Sequence, residues 1–211
     1  MKYPKFNLGA LVRSRRGFSL FEVILTMAIA TSIIFVIAAF RSNLDQMQNF
    51  TSQKLQSRQD IDQTIQIMTT EIRSAGPSSA GAYPIEAATS TSFTFYSDID
   101  KNGVFDRVRY WLGTSTIQKG VVRPSGNPLT YTTSTEIVTT LVNNVVTNSS
   151  ATLFSYYDSN YTGSQTPMSF PIIISQVRLV QFSFSADINT SSTPLPEFFS
   201  QTVDIRNLRS N

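Results

Sequence analysis

Two places in this chain hold residues whose types and spacing could do chemistry. The first is Glu22, a lone charge inside the apolar run Phe18–Phe40, with Gly17 just before it and Arg13, Arg15 and Arg16 upstream. A carboxylate at membrane depth is costly unless it meets an opposite charge, so the chemistry expected of Glu22 is ion pairing. The second is Asp98–Asp106, which reads DIDKNGVFD. Asp98, Asp100, Asn102 and Asp106 supply side-chain oxygens, Val104 a carbonyl, and Gly103 stands sixth, where a sharp turn is needed. That donor set suits a hard cation such as calcium. The twelfth place is Arg109 rather than Glu, so a bidentate ligand would have to come from elsewhere. The same Asp, Asn and Gly residues are also ordinary formers of a β-hairpin turn, and both readings stand.

The element that must position Glu22 is a helix long enough to cross a membrane. At 1.5 Å per residue, Phe18–Phe40 covers about 34 Å, against roughly 30 Å of hydrocarbon. Val23 to Phe40 carries no charge, whereas a buried core helix would show a polar stripe. Lys2, Lys5, Arg13, Arg15 and Arg16 precede the run with no acid among them, and mixed charges follow it. The positive-inside rule then keeps the N-terminus cytoplasmic and sends residues 41–211 outward. A secretory signal peptide fits poorly, because the run is of full spanning length and Arg41 follows it without a small-residue cleavage pattern.

RRGFSLFEVILTMAIA resembles the leader of type IV prepilins and type II secretion pseudopilins. The resemblance implies cleavage after Gly17 by a prepilin peptidase and N-methylation of Phe18 by the same peptidase/methyltransferase. It makes Glu22 the acid five residues into the mature chain, poised to meet the new amine of a neighbouring subunit. Gly17 has no side chain to obstruct an extended fit in a protease site. The match is strongest over residues 13–40. Three shorter phrases, EIRSAG at Glu71–Gly76, FYSDIDKNGVFDRVRYWL at Phe95–Leu112 and TVDIRNL at Thr202–Leu208, look like PilW/PulJ-type minor pilins and pseudopilins. Such a subunit would help to initiate or cap a filament, with other pilin subunits as its partners.

Processing would change the charge balance. The chain has 17 basic and 14 acidic residues, net +3; removing the five bases of Met1–Gly17 leaves −2. The basic character therefore belongs to the leader, and nucleic acid is not indicated as a partner. Without Cys there is no disulfide framework, unlike many pilins, and without His no His-based catalytic triad.

The expected fold class is α+β. Residues 41–74 contain neither Pro nor Gly, and Leu44, Met47, Ile61, Ile65, Met68 and Ile72 form an apolar face at mostly helical spacing. One helix is expected from Phe18 to Ser74, ended by Gly76-Pro77; with no Pro inside it, no marked kink is expected. The segments are then a leader (1–17), an anchor helix (18–40), an amphipathic extracytoplasmic helix (41–75) and an antiparallel β domain (76–211). Strands are expected around Phe93–Tyr96 and at 104–112, 117–122, 137–142, 152–157, 172–188 and 202–208, with Ser/Thr/Asn/Gly/Pro-rich separators. Val177 and Leu179 are out of phase with Val180, Phe182 and Phe184, so a β-bulge near Leu179 is expected. Phe93, Phe95, Tyr96, Tyr110, Trp111, Tyr156 and Tyr157 are expected in the core and in cross-strand pairs rather than in a surface patch. Arg107 and Arg109 share a strand face and could touch a partner.

Three functional classes follow. The first is a structural subunit that is anchored in the cytoplasmic membrane and then enters a periplasmic or cell-surface filament. The second is a filament-tip module binding a surface, DNA or secreted cargo. The third, a membrane-anchored enzyme, is disfavoured by the lack of His, Cys and clustered carboxylates outside the turn. No cofactor is expected beyond the calcium reading of the turn.

Overall fold

The computed structural model describes residues 17–147, 152–187 and 196–208. The leader residues 1–16, with their basic flank, lie outside the described residues, as does Ile188. Among the described residues a single α-helix, α1 (Leu20–Arg73), is followed by nine strands. The chain divides into two compact units, residues 1–51 and 52–211.

In the first unit, the helix is long and apolar enough over Leu20–Gln48 to cross a membrane, and none of that stretch is buried. Two of its hydroxyls bond within the helix: Thr26 Oγ1 donates to the Val23 carbonyl, and Thr31 Oγ1 to those of Met27 and Ala28. Such internal bonding is what an apolar solvent demands of polar groups. Leu44 and Met47 are exposed, so the expected apolar face is not covered at its front end.

In the second unit, the helix does carry a buried face. Ile61, Met68, Ile72 and Ala75 are buried and Ile65 is partly so, all in one core with the two sheets. The helix ends through local bonds and a change of chain direction. Ala75 N–H donates to the Ile72 carbonyl, Gly76 N–H leaves the helix for the Tyr96 carbonyl, and Pro77 has no N–H to continue the ladder.

The first sheet is an antiparallel meander of β1 (Ile85–Ala88), β2 (Ser92–Ser97), β3 (Asp106–Leu112), β4 (Ile117–Val122) and β5 (Ile137–Val142). Strand β3 alternates as a half-buried strand should: Val108 and Tyr110 point inward, Arg107 and Arg109 outward. The second sheet is built around β8 (Leu179–Ala186), which pairs along one edge with β9 (Glu197–Asp204). Its other edge is shared by β7 (Phe154–Tyr157) and β6 (Val145–Val146). Val180, Phe182, Phe184 and Ala186 form its buried side, together with Phe154, Tyr156, Phe199 and Val203.

Several expectations are corrected. No bulge lies near Leu179; the pairing of β8 with both β7 and β9 is regular there. The change of phase is absorbed before the strand by a 3₁₀ turn, Ile174–Gln176, whose cap Val177 is buried. The strand expected over 172–188 is correspondingly shorter, and β3 starts at Asp106 rather than Val104. The last strand begins at Glu197, and Arg206–Leu208 form a 3₁₀ turn rather than its end. Strands β1 and β6 were not anticipated.

Candidate functional site

The N-terminal site is built by the start of α1. The Ser19 carbonyl accepts the N–H groups of Glu22 and Val23, which makes Ser19 the residue that opens the helix. Glu22 lies in the first turn, where the positive end of the helix dipole favours an anion. Ser19 and Glu22 also have the S-x-x-E spacing of a capping box, a signal readable in the sequence but not used above. Among the described residues no cation stands within ion-pair distance of Glu22, and Gly17, Phe18 and Glu22 are all exposed. Phe18 is 77% exposed, so the Gly17–Phe18 bond and the acid are both accessible within this unit.

The Asp98–Asp106 turn is ordered by its own side chains. The Asp98 carboxylate accepts the N–H groups of Asn102 (3.0 Å) and Gly103 (2.9 Å), and Asn102 Oδ1 accepts that of Val104 (2.7 Å). Gly103 has φ +85°, which a side chain would strain. Asp106 differs from the other three candidates. It opens β3, is 1% exposed, and its Oδ2 meets no donor among the described residues. Burial first, then the negative charge of Asp100, pushes its carboxyl up to about 6, against the pull of Arg123. Arg123 reaches Asp100 at 3.9 Å. Among the described residues no group of three or more Asp, Glu, His or Cys stands together as a ready cation cage.

A third constellation was missed, because its members are far apart in sequence. Glu71, on the last turns of α1, accepts from the Tyr110 hydroxyl and pairs with Lys119 Nζ, both at 2.5 Å. Burial, then the nearby Glu71 charge, holds the Tyr110 hydroxyl well above the usual tyrosine range. On the outer face of the sheet, Arg109 grips Glu136 with two N–H groups, at 3.0 and 2.5 Å, and its guanidinium lies 4.1 Å from the centre of the Trp111 ring. Gly120 makes room for this pair, since a Cβ there would fall 2.3 Å from Glu136 Oε1. Arg107 binds both oxygens of Glu86. Burial raises the Glu86 carboxyl, but Arg107 and the Tyr96 hydroxyl outweigh it and leave the group lowered. The two arginines read as partner contacts thus already hold Glu86 and Glu136. Of the seven aromatics, six are buried and Trp111 is half-buried.

No protein-family model matches the chain, and no curated protein matches its sequence.

The three short phrases EIRSAG, FYSDIDKNGVFDRVRYWL and TVDIRNL come together at one corner of the second unit. A Cβ on Gly76 would lie 2.6 Å from the Phe105 ring and 3.1 Å from Asn207 Nδ2. Asn207 Nδ2 donates to the Ala75 carbonyl at 2.8 Å, and the Ser74 and Ser97 hydroxyls meet at 2.9 Å. Phe105 is held by its backbone as well: its N–H donates to Ser79 Oγ and its carbonyl accepts from the Tyr131 hydroxyl. The corner is a packing junction of backbone, ring and amide, and it explains why these residues suit one another.

Proposed function

We propose that this protein is a minor pilin or pseudopilin, a structural and assembly-initiating subunit of a type IV pilus or type II secretion-like filament. The observation that carries this reading is the unburied apolar helix with an acid in its first turn that meets no cation among the described residues. An apolar surface of that extent needs lipid or other apolar helices around it. Cleavage after Gly17 creates an amine on Phe18, and N-methylation keeps its charge. In a filament, that amine on one subunit neutralises Glu22 of its neighbour. The pairing offsets the cost of placing a carboxylate among apolar helices, so the assembled state is favoured over the solitary one. The β domain is the extracytoplasmic part of the subunit, and no enzymatic step is assigned to it.

The experiment is mass spectrometry of the mature N-terminus, followed by recovery of the protein from sheared filaments. A mature chain beginning at methylated Phe18 is the expected result. Gly17→Leu is expected to remain uncleaved in the membrane, and Glu22→Ala to be cleaved but excluded from filaments. A mature N-terminus other than Phe18 overturns the assignment. Normal incorporation of Glu22→Ala overturns the pairing.

A further inference from the structure

We infer that the turn Asp98–Asp106 is a binding site for a calcium-type cation, completed by the buried carboxylate of Asp106. The site draws on side-chain oxygens of Asp98, Asp100, Asn102 and Asp106 and on the Val104 carbonyl. This is a hard-oxygen set without nitrogen or sulfur, as calcium prefers. Spacing alone would not separate it from a hairpin turn; Asp106 does. A turn former has its carboxylate bonded to nearby N–H groups or to water, as the Asp98 carboxylate is bonded to Asn102 and Gly103. Asp106 instead is 1% exposed, and its Oδ2 has no donor among the described residues.

A buried carboxylate with one oxygen left without a donor is expensive. Here the nearby charges of Asp100 and Asp98 add to the cost, and the opposing charges are Arg123 and Lys119. Arg123 has a side chain 63% exposed and sits 3.9 Å from Asp100, while Lys119 pairs with Glu71. A divalent ion between Asp106 and the turn would offset most of the charge of the three carboxylates together.

The carboxylates do not stand as a ready cage, so the cation must draw the exposed Asp100 end of the turn onto Asp106, which is fixed in β3. That closure, and Arg109 at the twelfth place, put the expected affinity in the weak class of extracellular modules, a Kd of about 10⁻⁴–10⁻³ M. The site is independent of the filament reading, because it lies in the second unit and its occupancy is measured on the isolated chain.

The test uses the full chain in detergent micelles, titrated calorimetrically with calcium chloride alone and melted with and without about 10 mM of the salt. Expected are one-to-one binding and an unfolding midpoint raised by several degrees. Asp100→Ala, at an exposed position, should keep the calcium-free melting point and bind at least about tenfold more weakly. Asp106→Asn should also bind at least about tenfold more weakly, yet melt no lower than the parent in calcium-free buffer, because a buried charge has gone. Absence of both heat and a midpoint shift in the parent overturns the site. So does an Asp106→Asn variant that responds to calcium as the parent does, or an equal response to magnesium. A calcium-silent parent whose midpoint falls sharply in Arg123→Ala would show that the guanidinium, not a metal ion, is the counter-charge of this cluster.

Discussion

In residues 20–48 apolar side chains face outward and the acid in the first turn has no cation beside it among the described residues, whereas in residues 52–211 apolar side chains are gathered into a core and the acids Glu71, Glu86 and Glu136 each hold a basic partner. The same residue types behave in opposite ways because the second region contains two sheets to cover its helix face, and among the described residues the first has no such cover. A region whose apolar surface and charge are both unsatisfied among the described residues of its unit is the place to look for assembly. A region whose partly buried acids Glu71, Glu86 and Glu136 are each matched by a basic group is the place to look for stability. Asp106 contrasts with these acids: it is buried, and its Oδ2 has no donor among the described residues.

The contrast can be broken most forcefully at the two acids. Glu22→Ala should lower recovery from sheared filaments by about tenfold or more, while leaving denaturant unfolding of residues 52–211 unchanged. Glu71→Ala should do the reverse. It strands the Tyr110 hydroxyl and Lys119, each largely buried, and is expected to cost about 3 kcal/mol in unfolding free energy, read as a lower denaturant midpoint. If Glu22→Ala destabilised the β domain, or Glu71→Ala did not, the division of roles would fail.

Asp106 gives a pH signature of its own. Its folded pKa of about 6 lies above the ordinary value of 3.8, so the folded chain binds the proton more tightly than the unfolded one. Its contribution to stability is therefore favourable at low pH and is lost as pH rises from about 4 to about 6, by up to about 3 kcal/mol in calcium-free buffer. Unfolding curves across that range check it, and Asp106→Asn should flatten the dependence. Gly76→Ala comes next, at about 1–3 kcal/mol, because its Cβ would meet the Phe105 ring at 2.6 Å. The smallest effect is expected at Arg58, whose exposed side chain reaches Glu197 at 3.4 Å. Arg58→Ala should change the unfolding free energy by no more than about 0.5 kcal/mol.

Local signals were legible where a single residue type decides the backbone. Gly76-Pro77 stops the helix because proline has no N–H and the chain must turn there. Strands β4 and β5 lie over the residues expected, since each is an apolar-rich run bounded by turn formers. The errors fall where a neighbour decides. Ile85–Ala88 and Val145–Val146 are strands only because Phe93–Phe95 and Ser185–Ala186 offer them an edge to pair with; neither is long enough to show a period. Val177 and Leu179 do not force a bulge, because the chain ahead of β8 is free to coil into a 3₁₀ turn.

The candidate sites divide along the same line. Glu22 was visible as an acid in an apolar run, and Asp98–Asp106 as a pattern of oxygens, because both are contiguous. By itself the sequence determined the apolar helix, its lone acid, the end of that helix and the α+β class, all of which rest on residue type and short-range spacing. Only the tertiary structure decided which charges are already matched and which are not. Glu71 with Tyr110 and Lys119, Arg109 with Glu136, and Gly76 with Phe105 and Asn207 are each separated by more than a score of residues, and chain folding alone brings them within contact. It also decided that Asp106, one of four similar residues in a turn, is the one sealed from water without a donor, because only Asp106 is the first residue of a strand against the core.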